Sequence, residues 1–229
     1  MPRQTSVPSA PGRTGRPPVT SRAEILTAAR RIIDEDGWEK LTIRRLAAEV
    51  GVGPTTLYHH VRDKQDLLVQ LIDDQAAGTP RPELPDEPRD RIVVAALALH
   101  DFLVAWPWAA EVLSVDGFAG RLGEPSMWMV ETVVAGAIDH GCTPDQAVDV
   151  FRNVWYFTVG ETLVRAHSKA RRPAGAPGRS DFFGTLDASR LPRLVGIGDR
   201  WPVLAARDTF PRALEAIVDG LLAQATAPP

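Results

Sequence analysis

Apolar residues recur along this chain at spacings of three, four and seven, the mark of helices with one buried face, and no apolar–polar alternation runs long enough to argue for a sheet. The first stripe is Ile25, Ala28, Ala29, Ile32 and Ile33. Ser21 ahead of it and Glu24 three residues later form a capping box, and Gly37 supplies a stop, so a helix of about four turns is expected between them. Thr42 heads a second, short helix that buries Ile43, Leu46, Ala47 and Val50 and ends at Gly51. Gly51-Val52-Gly53 reads as a tight turn with a permissive glycine on each side, and Pro54 occupies a first-turn position where a missing N–H costs nothing. The third helix, Pro54 to about His60, has only Leu57 and Val61 as large apolar anchors and leaves Thr55, Thr56, Tyr58, His59 and His60 mostly outside. A fourth begins at Asp63-Lys64 and runs to about Ala77 on Leu67, Leu68, Leu71 and Ile72.

Further on, Asp90 to Ala105 carries Ile92, Val93, Ala96, Leu97, Leu99, Leu103 and Val104 around so much of its circumference that a central, buried helix is expected, with His100 and Phe102 projecting within the body. Trp106-Pro107-Trp108 breaks it and opens another helix to about Val115. Glu124 to His140 forms the next, and Thr143-Pro144-Asp145-Gln146, a capping box with proline at its first position, starts a long one from Pro144 to about Lys169. The last, Phe210 to about Gln224, bears Leu214, Ile217, Val218, Leu221 and Leu222. Proline and glycine mark breaks at Gly78 to Pro88 and at Arg171 to Ser180, the latter expected to be mobile. Residues 1–20, with five prolines, three arginines and no acid, read as a disordered basic arm. It is either a solvated tail or, through Arg13 to Pro18, an extended strand for a minor groove.

At 229 residues the chain can form one large domain or two small ones, and 44% hydrophobic with 24% charged residues is an ordinary globular composition. Its longest apolar run, Ile92 to Leu99, is too short to span a bilayer, so no membrane association is expected. No apolar stretch follows the basic residues near Met1, and the lone Cys142 cannot form an internal disulfide, which together point to the cytoplasm. The charge is unevenly divided. Residues 1–65 hold 11 Lys and Arg against 7 Asp and Glu, a charge of +4, whereas residues 66–229 hold 15 against 22, a charge of −7. A mildly basic front on an acidic body suggests a polyanion-binding end and a second part with another task.

Two short helices joined by a glycine turn, the second presenting threonine, tyrosine and histidine instead of lysine and glutamate, match a helix-turn-helix whose second helix enters a major groove. Adjacent His59 and His60 point about 100° apart on a helix and do not share a face, so no metal is expected there. His140 and Cys142 read as a helix-end histidine and a packing cysteine. No nucleophile motif, metal-ligand spacing or glycine-rich phosphate loop is present, so neither an enzyme nor a cofactor is expected. In the body, Phe102, Trp106, Trp108, Trp128, Phe151, Trp155, Tyr156, Phe157 and Trp201 are either plain core or the lining of an apolar cavity between helices. The candidate ligand-binding set is His100, Leu103, Trp106, Trp108, Met127, Trp128, Glu131, Phe151, Trp155, Thr158 and Glu161, in which the scattered polar residues orient a ligand.

The segment Leu41 to Lys64, with Arg44-Arg45-Leu46-Ala47, Gly51-Val52-Gly53-Pro54-Thr55-Thr56-Leu57-Tyr58-His59 and Asp63-Lys64, resembles the DNA-binding segment of the tetracycline-repressor (TetR) family of transcriptional regulators. With flanking helices the likeness covers residues 21 to about 75; beyond it rests on length, helical pattern and Trp106-Pro107-Trp108-Ala109-Ala110. It implies an all-α protein: an arm (1–20), a three-helix helix-turn-helix head (21–66) and an antiparallel helical bundle for ligand binding and dimerisation (67–229). It also implies that Thr42, Arg44, Arg45, Pro54, Thr55, Thr56, Tyr58, His59, His60 and Lys64 bind double-stranded DNA. Arg44 can reach a guanine edge or clamp a phosphate, Thr55 and Thr56 can pack on thymine, and Tyr58, His60 and Lys64 suit the backbone. The implied partners are DNA, a small-molecule effector of unknown identity and a second copy of the chain, joined through the long helix and the C-terminal stripe Leu214, Ile217, Val218, Leu221. The pattern of a chelated metal–tetracycline site is missing, since Asp73, Asp74, Gln75 and Ala76 stand where a histidine is expected. The reading is a repressor released from a palindromic operator by an apolar or aromatic effector. The alternatives are an effector-independent DNA-binding protein and a small-molecule enzyme with an appended DNA-binding head.

Overall fold

The computed structural model describes residues 20–114, 119–170 and 185–225, and the chain divides into two compact units, residues 1–64 and 65–229. The expected arm, apart from Thr20, and the expected break at Arg171 to Ser180 lie outside the described residues. Every regular element among the described residues is helical.

In the first unit, α1 (Arg22–Asp36), α2 (Ile43–Val50) and α3 (Pro54–Leu57) follow one another, with a single 3-10 turn at Trp38–Lys40. The capping box forms as the spacing predicts: the Ser21 hydroxyl accepts from the Glu24 amide at 3.2 Å and the Glu24 carboxylate accepts from the Ser21 amide at 2.8 Å. Ile25, Ala29, Ile32, Leu46, Ala47 and Leu57 are buried, whereas Ile43 and Val50 are half-buried at the rim. Ion pairs Arg31–Glu49 and Arg45–Asp36 lace α1 to α2 across solvent-exposed faces. Such pairs contribute at most about 1 kcal/mol each, so the head is held chiefly by its apolar seam.

In the second unit, α4 (Lys64–Gly78), α5 (Pro88–Ala105), α6 (Pro107–Leu113), α7 (Glu124–Asp139), α8 (Pro144–Ala170) and α11 (Phe210–Ala225) are the helices that hydrophobic periodicity predicts. Two short ones, α9 (Pro192–Ile197) and α10 (Trp201–Ala205), carry no buried residue and hence no stripe by which to foresee them. The core joins α5, α7, α8 and α11 through Ile92, Ala96, Val133, Val150, Phe210 and Leu214. Val104, expected inside, is 41% exposed. The Thr143-Gln146 capping box opens α8, with the Thr143 amide donating to Gln146 Oε1 at 2.8 Å. Arg89 grips Asp219 with two hydrogen bonds, 2.7 and 3.1 Å, tying the start of α5 to α11 and holding the Asp219 carboxyl below its usual range.

The C-terminal stripe needs correction. Phe210, Leu214, Val218 and Leu222 face the body and are buried, leaving Ile217 and Leu221 only half-covered. The helix has two apolar seams, and spacing alone does not say which one the subunit itself consumes.

Candidate functional site

The surface singled out in the head is built by its turn. Gly51 sits at φ 76°, ψ 29°, a left-handed conformation that costs glycine nothing, and the Val52 amide returns to the Ala47 carbonyl at 2.9 Å to close the end of α2. Gly53, by contrast, is extended at φ −72°, so the second glycine does not use the freedom expected of it. Pro54 then starts α3, which ends at Leu57, earlier than expected. Beyond it the bonding tightens: the His59 amide donates to Thr56 O at 3.3 Å and the His60 amide to Leu57 O at 2.8 Å. Leu57 and Val61 are buried and pin this stub.

Its outward side is Pro54, Thr55, Tyr58 and His59, all exposed, with Tyr58 at 57%; Thr56 and His60 are half-covered. Arg44 is exposed on α2, and among the described residues no carboxylate pairs with it. Arg45 is committed to Asp36. The Thr42 hydroxyl caps α2, accepting from the Arg45 amide at 3.1 Å. Lys64 donates to the Glu39 carbonyl at 3.1 Å and lies over the Trp38 ring at 5.1 Å, and partial burial pulls its pKa down against the opposing pull of Glu39. The structure thus brings Pro54, Thr55, Tyr58 and His59 together, with Arg44 exposed on the adjoining helix, while Arg45 and Lys64 are also engaged in holding the head together.

Among the described residues of the body, two cavities of about 30 and 40 Å³ share Ala76, Phe102 and Met129 as walls. Of the residues expected to bind a ligand, Trp128 lines the first, and Phe151 and Trp155 line the second. The others lie elsewhere. Leu103 is fully buried core, Glu131 is exposed, and Trp106, Trp108 and Met127 are half-buried outside both cavities. Thr158 donates to its own helix at Val154 O, 2.8 Å. His100 Nε2 meets Glu161 Oε2 at 3.0 Å, with Arg165 on the other carboxylate oxygen, and the imidazole stacks on Phe210 at 3.9 Å. These polar groups satisfy one another instead of facing the cavities. Phe102, one of the aromatics read as core or cavity lining, borders both cavities, whereas Met129, Leu122 and Ala76 were missed because a Met, Leu or Ala on an apolar face looks the same whether it meets a neighbour or a void.

Asp73 explains part of the departure noted in α4. Its carboxylate accepts from the Gly123 amide at 2.9 and 3.0 Å and from the Ser126 hydroxyl at 2.5 Å, capping α7 from another helix beside the second cavity. A Cβ on Gly123 would lie 2.9 Å from Asp73 Oδ2. Asp73→Ala should therefore cost about 1–2 kcal/mol of stability in denaturant titration. Gly123→Ala should cost a similar amount, and the double variant less than the two together.

A glycine-turn pair of short helices with a polar, aromatic exterior, followed by a separate helical unit containing aromatic cavities, defines a helix-turn-helix transcriptional regulator with a ligand-binding body. Residues 25–71 match the family described as bacterial regulatory proteins, tetR family, and residues 81–225 match the tetracyclin repressor-like C-terminal domain. The chain belongs to the TetR family. It is 28% identical over 202 residues to a class A tetracycline repressor protein of Escherichia coli, covering 86% of this chain and 88% of that one. Among solved structures, Streptomyces coelicolor ActR in complex with actinorhodin is 25% identical with a TM-score of 0.71, over 91% of this chain and 99% of that one. BioQ with its double-stranded DNA operator is 25% identical with a TM-score of 0.62, over 89% and 99%. Among the described residues no single helix is long and apolar enough to cross a membrane.

Proposed function

We propose that this regulator is a cytoplasmic dimeric repressor that grips a palindromic operator with α2 and α3 and releases it when a small apolar or aromatic effector occupies the body. The observation that carries the reading is the short α3 stub, whose buried Leu57 and Val61 hold Pro54, Thr55, Tyr58 and His59 in solvent. A four-residue helix presenting a methyl, a phenol and an imidazole has little reason to face water and suits a major groove, with Tyr58 and His60 set against phosphates. BioQ, solved on its operator, and ActR, solved with actinorhodin, support the two halves of the reading. For the dimer, Tyr156 and Val164 on α8 are 63% and 68% exposed, and Ile217 and Leu221 on α11 are half-covered, which supplies apolar surface for a two-fold contact.

Release is a population shift. A hundredfold loss of operator affinity requires the effector to favour the released state by about 2.7 kcal/mol. The test is fluorescence anisotropy on duplexes flanking the protein's own gene, against random duplex at moderate salt. Preference for a palindrome, lost on adding a planar aromatic compound that raises the melting temperature, is the expected result. Equal binding to palindrome and random duplex contradicts the reading. Ala76, which borders both cavities, provides a second check. Ala76→Leu fills the shared space, so the ligand-induced rise in melting temperature should vanish while operator affinity is retained.

A further inference from the structure

Among the described side chains lining these two cavities, Arg81 alone is charged. Its guanidinium lies over the Trp128 ring at 5.4 Å, and one of its nitrogens donates to Glu124 Oε1 at 3.0 Å. Glu124 is 80% exposed and Arg81 45%, so the pair sits where the first cavity opens to water. A guanidinium has five N–H donors in a planar fork, and that single contact leaves most of them for another acceptor. The other polar lining groups are committed or neutral. The Thr79 hydroxyl donates to Gln75 O at 2.8 Å and the Ser126 hydroxyl to Asp73 at 2.5 Å, and the indoles of Trp128 and Trp155 are neutral. Around the second cavity Leu99, Leu113, Leu122 and Val130 offer nothing to a charge. The two spaces are divided by Phe102 and Met129, a rotatable ring and a flexible thioether, so a ligand that displaces them faces aromatic walls along its length and one cation at its end.

We infer that the effector class is a planar, polycyclic aromatic acid, whose carboxylate takes the free edge of the Arg81 guanidinium and competes with Glu124 while its rings occupy the space between Trp128 and Trp155. This rests on the proposal that the body binds an effector. Arg81 is the specificity-determining residue, because a fork-to-carboxylate contact at a partly dehydrated mouth is lost by a neutral analogue of the same shape. Glu124 acts against binding: it neutralises the cation when the site is empty and must be turned away when an anion arrives.

The experiment is isothermal titration calorimetry of the full chain with anthracene-2-carboxylate and with its uncharged isostere anthracene-2-carboxamide, on the wild type and on Arg81→Gln and Glu124→Gln. The carboxylate should bind the wild type at least tenfold more tightly than the amide, and Arg81→Gln should bring the two level by weakening the carboxylate alone. Glu124→Gln should tighten the carboxylate severalfold and leave the amide unchanged, an outcome that a merely structural Arg81–Glu124 pair does not produce. Equal affinities in the wild type, or a preference that survives Arg81→Gln, overturn the assignment of an acid while leaving an apolar effector site standing. Absence of binding by both compounds, with neutral polycyclic aromatics still raising the melting temperature, overturns it in the same way. If no planar compound of either kind binds, the effector reading itself falls with it.

Discussion

Leu57→Ala is expected to lower the stability of the head by about 2–5 kcal/mol and to abolish operator binding at protein concentrations that saturate the wild type. Leu57 is completely buried, and it belongs to a helix of four residues. A segment that short has no helical stability of its own, since nucleation fixes several dihedral angles for one hydrogen bond. Its place is set by the two side chains it buries, Leu57 and Val61. Truncating the first leaves a cavity under the surface that carries Thr55, Tyr58 and His59, so the loss of binding follows from lost position even though none of those groups is changed. Leu57→Met keeps the volume and should cost less than about 1.5 kcal/mol with binding preserved. Hydrogen exchange across residues 43–61 reads both effects. An alanine variant that exchanges faster there yet binds DNA as tightly as the wild type would show that the stub is not the binding surface.

The second large effect is expected at Arg44. It is exposed, it stands near the start of α2, and no described carboxylate competes for it. Arg44→Ala should weaken operator binding by about 1–3 kcal/mol and relax preference at one base pair, because a bidentate contact to a guanine edge carries both affinity and identity. Uniform weakening over all sequences, with a shallower salt dependence, would assign it to a phosphate. Arg45→Ala provides the contrast: its guanidinium is held by Asp36, so the change should act mainly through the α1–α2 pair and cost at most about 1 kcal/mol. Binding-site selection followed by salt titration separates these outcomes.

Much of the fold was legible because its helices announce their own ends. Ser21 with Glu24, and Thr143 with Gln146, are reciprocal caps whose partners lie three residues apart, so local spacing specifies them and the structure contains them. The elements that were not legible bury nothing: α9 and α10 lack the stripe on which periodicity relies. In the head, one segment supplies both the turn and the surface it presents, so Pro54, Thr55, Tyr58 and His59 could be read as a group. The body's cavities are different, because their walls come from α4, α5, α6, α7, α8 and the segment after α4, and depend on which of two apolar faces each helix turns inward. Met127 and Met129 illustrate this. They are two residues apart on α7, some 200° around the helix, and only the second meets the cavity. The polar residues His100 and Glu161 looked like orienting groups, but in a packed body a polar side chain finds a protein partner first.

The account depends on the side chains around α3 entering a groove of duplex DNA. Hydroxyl-radical footprinting of the full chain on a palindrome recovered by selection, repeated with Tyr58→Ala, tests this most directly. The expected footprint is two symmetric protected patches one helical turn, about 34 Å, apart, both weakened together in the variant. Protection without two-fold symmetry, or a symmetric footprint indifferent to Tyr58, Thr55 and Arg44 alike, would contradict it.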